Sequence, residues 1–220
     1  MTQRQDLPKP HFFWLGLAVQ FLLMIGVPAQ AIYTQITGQS VILKTIPVDP
    51  YDPMRGYSTT LRYDISEVKL LRTLPGWKDL PTIEDPVPNY SQPKPIKSKP
   101  AQPKPRILKP GTTVYITLEP SSSKTPISNP LQPWKATAIS AKLPTKRSPE
   151  KVILKGIVDS SAFNSQFVNY GLETYYMPEN RRNEVNDAIR NQKAVAEIKV
   201  DDQGNGVPLK LRVGDQDFEF

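Results

Sequence analysis

Residues 12–27, FFWLGLAVQFLLMIGV, carry no charge and only one strongly polar side chain, Gln20. No polar face recurs at helical period, so the run does not read as a helix packed on the side of a soluble core. A weaker apolar tail continues through Ala29, Ala31, Ile32 and Tyr33. Read as one helix, residues 12–33 reach about 33 Å at ~1.5 Å per residue, enough for a hydrocarbon core of ~30 Å. Arg4 and Lys9 precede the run and no charge follows before Lys44. The positive-inside rule then holds residues 1–11 in the cytoplasm as a short tail and sends the rest across, N-in and C-out. The competing reading is a secretory leader, because Pro28-Ala29-Gln30-Ala31 offers a small-x-small cleavage pattern that would release a secreted chain after Ala31. Either way, residues 34–220 are expected on the extracytoplasmic side.

That remainder is the size of one domain. Of 220 residues, none is cysteine, which excludes disulfides, a thiol nucleophile and thiolate zinc or iron–sulfur sites. The single histidine, His11, abuts the apolar run. Multi-histidine metal centres and Ser-His-Asp triads are thereby removed as well. The sequence names no cofactor and no metal.

Strand patterns recur along the domain. Residues 41–45 form a short apolar strand, and Pro47, Pro50 and Pro53 interrupt regular structure after it. From Thr60 the chain alternates Leu61, Tyr63 and Ile65 with Arg62, Asp64 and Ser66, the period of two of a half-buried strand. Further strands are predicted over 113–118, 135–141, 152–158, 172–177, 194–200 and 207–213. Asp201-Asp202-Gln203-Gly204-Asn205-Gly206 joins the last two as a hairpin turn. One helix is predicted over residues 178–192, with Pro178 in its first turn and Val185, Ala188 and Ile189 as a narrow apolar stripe. The fold class is mainly β (α+β): a compact antiparallel sheet or partly open barrel with one amphipathic helix, behind the membrane helix.

Residues 75–110 break this pattern. From Pro86 to Pro110 there are eight prolines, six basic residues (Lys94, Lys97, Lys99, Lys104, Arg106 and Lys109) and no acid. Proline locks φ and like charges repel, so the segment is predicted to be a disordered insertion populating extended polyproline II. Its charge suits anionic lipid or anionic envelope polymer. Nucleic acid does not fit, since the segment lies outside the cytoplasm with only Tyr90 available for stacking.

Three constellations bear on catalysis. Ser58 and Lys69 would be the pair of a serine hydrolase, but nothing near them in sequence supplies the apolar pocket that activates a lysine. Asp201, Gln203 and Asn205 imitate the start of a calcium loop, yet the twelfth position holds Arg212 where a bidentate Glu is needed. Asp49 and Asp52, each before a proline, read as turn residues bonding nearby backbone N–H groups.

Several blocks together resemble a known family. The segment VILKTIPVDPYDPMRG at 41–56, running on to Leu61 and Tyr63, is similar to the GDYXXLXY-domain family of membrane-anchored bacterial proteins, whose members carry PVDP and RGDYxxLxY behind an N-terminal membrane helix. Pro47, Val48, Asp49, Pro50, Arg55, Gly56, Leu61 and Tyr63 match; Tyr57 and Ser58 stand where the family has Asp and Tyr. Residues 111–118, 152–156 and 170–179 resemble later blocks, and the Lys/Pro segment then reads as an insertion between two strands. The resemblance implies an anchored domain, often paired in genomes with a multi-span membrane protein, and supplies no reaction. The expected function is a non-enzymatic accessory or interaction protein whose partner is an integral membrane protein. Pro47, Asp49, Arg55, Gly56, Leu61 and Tyr63 form its candidate interaction motif. An envelope hydrolase or transferase, and a module docking on anionic polymer through the basic loop, are the alternatives.

Overall fold

The computed structural model describes residues 10–46, 58–84, 106–121, 132–145, 148–160, 166–176, 187, 194–213 and 216–219. The apolar run folds as one helix, α1 (Pro10–Thr37), which passes through Pro28 unbroken. From Phe13 to Thr37 it is long and apolar enough to cross a membrane, and none of the most apolar stretch is buried against the protein. The helix outlasts the predicted 12–33 because its last turn meets the β domain, and that contact holds residues that composition alone would leave outside.

A single residue, Gly38, separates α1 from β1 (Gln39–Ile46). There follow β2 (Ser58–Thr60), β3 (Arg62–Tyr63), the short α2 (Val68–Leu71), β4 (Thr82–Glu84), β5 (Arg106–Leu108), β6 (Thr113–Glu119), β7 (Lys135–Ser140), β8 (Val152–Ser160), β9 (Gln166–Asn169), β10 (Thr174–Tyr176), β11 (Ala194–Val200), β12 (Gly206–Val213) and β13 (Gln216–Glu219). Two antiparallel sheets dominate, one ordered β13-β12-β11-β1-β3 and the other β7-β6-β8-β9. Two ribbons, β10 with β2 and β4 with β5, accompany them among the described residues. The alternation read in the sequence decides which face turns inward. Val41 and Leu43 from β1, Val114, Ile116 and Leu118 from β6, Leu154 and Val158 from β8, and Ala194, Ala196 and Ile198 from β11 all bury in one core. Each Val, Leu or Ile side chain among them contributes roughly 1.5–3 kcal/mol on leaving water, the two alanines less. The sheets approach each other through Trp134 N–H donating to Ile42 O and Lys155 N–H donating to Gly204 O, both at 2.8 Å. Among the described residues they do not close into a barrel.

The predicted strand from Thr60 to Ser66 is corrected. Leu61, Tyr63 and Ile65 are indeed its buried side, but the backbone turns into a 3-10 helix over Asp64–Ser66 after two residues of β3. Asp64 causes the break, because its Oδ1 accepts the Ile65 N–H at 2.7 Å and gives the chain a local alternative to a ladder. The insertion at 75–110 also starts later and ends earlier than its composition indicates. A 3-10 turn at Trp77–Asp79 and the β4–β5 ribbon occupy its two ends, with Thr82 opposite Leu108 and Glu84 opposite Arg106. Leu80 and Leu108 enter the core, and apolar burial outweighs the proline content there. The central part, with Lys94, Lys97, Lys99 and Lys104, lies outside the described residues. So does the predicted helix at 178–192, except for Asp187, which is helical. The hairpin between β11 and β12 forms as expected, with a register shift at Glu197/Ile198. The strands β9 and β13 and the helix α2 were not legible as elements.

Candidate functional site

The family-like motif and the block at 170–173 fold onto each other. The Leu61 N–H donates to Glu173 O at 2.6 Å. The Tyr63 hydroxyl donates to Leu172 O at 2.7 Å, and the Tyr170 hydroxyl donates in the opposite direction, to Ile65 O at 2.6 Å. Beyond this cross-stitch, β2 and β10 pair antiparallel with Thr60 opposite Thr174 and Ser58 opposite Tyr176. A Glu173 carboxylate oxygen accepts the Tyr170 N–H at 2.7 Å and fixes the turn between β9 and β10. Two segments more than a hundred residues apart thus behave as one piece.

Burial sets the chemistry of this region. Tyr63 is fully buried and Tyr170 nearly so. Burial, reinforced by the negative charge of Glu173, pushes both phenols far above the ordinary tyrosine range. Both hydroxyls keep their protons and act as hydrogen-bond donors. Burial also raises the Asp64 carboxyl, against the opposing pull of the Ile65 N–H and the Lys44 charge. The Ser66 hydroxyl is buried with no hydrogen-bond partner.

Leu61 and Tyr63 therefore hold the fold together from inside, and neither offers a surface to a partner. Pro47, Asp49, Arg55 and Gly56 lie outside the described residues. The accessible member of the motif strand is its neighbour Arg62, whose guanidinium rests 5.2 Å above the centre of the Phe167 ring. Arg62, Glu67, Val68, Lys69, Gln166 and Phe167 line a shallow cavity of about 180 Å³ there. Sequence reading passed over Arg62 because its pairing with Phe167 exists only once β9 is laid beside α2. In the basic loop, Arg106 opens β5 and Lys109 is exposed, its N–H donating to Pro81 O at 3.1 Å.

Of the candidate catalytic constellations, Asp49 and Asp52 lie outside the described residues, and the other two do not assemble. Lys69 is exposed on α2, without the apolar enclosure a lysine general base needs. Asp201 is the anchor of a turn: its Oδ1 accepts the N–H groups of Gln203 and Asn205 at 2.9 and 2.8 Å, and Asn205 Nδ2 reaches Oδ2 at 3.0 Å. Those donors occupy the oxygens that a calcium ion would require. Among the described residues no group of His, Asp and Glu is arranged to hold a metal.

A second polar locality lies where α1 meets the domain. The Thr34 hydroxyl, buried, donates to Asp201 Oδ2 at 2.8 Å. Burial acts to raise the Asp201 carboxyl, but the hydrogen bonds from Asn205, Thr34 and Gln203 outweigh it and hold the group below its usual range.

Comparison with known proteins agrees with the motif. The family model described as GDYXXLXY protein matches residues 20–211, from within α1 to within β12. No curated protein and no solved structure matches the chain.

Proposed function

Because the chain belongs to the GDYXXLXY protein family, we propose that it is a membrane-anchored, extracytoplasmic, non-enzymatic interaction protein that works with an integral membrane partner. The observation that carries this reading is a helix of membrane-spanning length, unburied along its apolar part, that runs directly into a β domain. Arg4 and Lys9 orient the tail toward the cytoplasm and the domain away from it. The last turn of α1 is integrated into the domain through Thr34, which lies beyond Ala31 and stays with the domain whether the anchor is retained or released. The motif strand is internal at Leu61 and Tyr63, so the proposed partner contact rests on Arg62, with Arg55 of the same motif as its companion in the test below.

Protease added to intact spheroplasts tests the location: the domain is digested without lysis if it lies outside, and survives until lysis if the orientation is reversed. Crosslinking in native membranes tests the role. Capture of a multi-span membrane protein that is lost in Arg55→Glu/Arg62→Glu supports the assigned surface; unchanged capture removes it.

A further inference from the structure

We infer that α1 runs into β1 through a rigid joint, so that the helix is a stiff stalk holding the β domain, and with it the motif strand, in one orientation relative to the membrane segment. This deepens the proposed function and rests on α1 being membrane-embedded.

A glycine between a membrane helix and a soluble domain is ordinarily a hinge. Gly38 is not free to act as one. It is buried, its N–H donates to Thr34 O at 2.8 Å, and a Cβ placed on it would overlap that same carbonyl and press on the Val200 backbone at 3.0 Å. Glycine is needed here for close approach of two backbones. Four residues earlier, the buried Thr34 hydroxyl is held by Asp201. That carboxylate is immobilised in turn by Gln203 and Asn205, within the turn of the β11–β12 hairpin. The helix end is therefore secured at two points, Thr34 and Gly38, against the end of β11 and the turn that leads to β12, in the same sheet as β1. Independently, the family match begins inside α1 and not at the domain boundary, so the end of the helix belongs to the family's common unit.

Within the domain, β1 sets the separation between this joint and the motif strand. Eight residues from Gln39 to Ile46 span about 26 Å at ~3.3 Å per residue. The motif strand pairs at the far end, with Thr45 opposite Tyr63 and Ile46 opposite Arg62. The Arg62 surface is thus separated from the helix exit by the length of the sheet.

The chain has no cysteine, so paired nitroxide labels can be placed cleanly at Leu22 on α1 and at the exposed Thr60 on β2. With the full chain in lipid nanodiscs, the inter-label distance distribution is expected to be narrow. Inserting Gly-Ser-Gly-Ser between Thr37 and Gly38 is expected to broaden it, and Thr34→Val, which keeps shape and removes the hydroxyl, to broaden it in the same direction. A wild-type distribution as broad as that of the insertion overturns the stalk. Alkaline extraction of the same nanodisc-competent preparation from membranes separates the two failures. Extraction of the wild type would remove the anchor itself, whereas retention with a broad distribution removes only the stalk.

Discussion

The Tyr63 hydroxyl donates to the carbonyl of Leu172 across 109 positions of sequence, while Tyr170 returns a bond to Ile65. Each hydroxyl satisfies a carbonyl in the other's segment. Tyr63→Phe leaves the Leu172 carbonyl without its donor and is expected to destabilise the domain by about 1–3 kcal/mol. Tyr170→Phe should act similarly, and the double variant should differ from the sum of the two by more than ~0.5 kcal/mol, since the pairs share one interface. Urea unfolding followed by tryptophan fluorescence measures all three.

Both phenols carry pKa values raised by burial, and the linkage has a definite sign. The folded state prefers the protonated form, so their stabilising contribution is complete below the unfolded tyrosine value of 10.0 and is lost as pH rises above it. Absorbance at alkaline pH should therefore leave Tyr63 and Tyr170 silent until the domain unfolds. Early titration of the full tyrosine complement with the fold intact would contradict their burial.

Gly156 in β8 is enclosed by side chains: a Cβ there would overlap Val168 Cγ1 and lie 2.9 Å from the Tyr170 ring. Gly156→Ala is expected to cost about 1–3 kcal/mol through overpacking. Because the obstruction is side chain and not backbone, Val168→Ala in the same chain should recover part of that loss, read as the unfolding midpoint.

Asp201 has the opposite pH signature to the tyrosines. Its carboxyl lies below the ordinary value of 3.8, so the stability it contributes is present above that value and disappears as pH falls through its folded pKa. Asp201→Asn keeps an acceptor oxygen for the turn but removes the titration. The variant's midpoint should be flatter than the wild type's below about pH 4.

Glu84 and Arg106 are paired at the ends of β4 and β5, so residues 85–105 connect two strands that are already opposite each other. Replacing them with Asn-Gly shortens the closing loop by roughly three halvings and should stabilise the domain by about 2 kcal/mol. Retained binding to anionic vesicles or polymer after this replacement, at low salt, would remove the basic loop as the docking element.

The local periodicities fixed much of what was readable. Sixteen uncharged residues between Phe12 and Val27 dictate a membrane-length helix wherever they occur. Alternation at 113–118 and 194–200 dictates strands with a dry face, because any other register would expose Val114, Ile116 or Ile198 to water. The Asp201 turn was legible for the same reason: its residues satisfy themselves locally.

Tertiary structure decided the rest. Nothing in the order of residues indicates that Tyr63 reaches Leu172, that Asp201 holds Thr34 at the foot of the helix, or that Arg62 lies over Phe167. Each contact joins segments whose encounter depends on how two sheets and a helix pack. The same holds for the ends of the Lys/Pro segment, where proline content predicts extension until Leu80 and Leu108 find a core to enter. Short-range pattern fixes which face of an element is apolar; only packing determines what that face meets, and hence whether a motif residue fastens the interior or faces a partner.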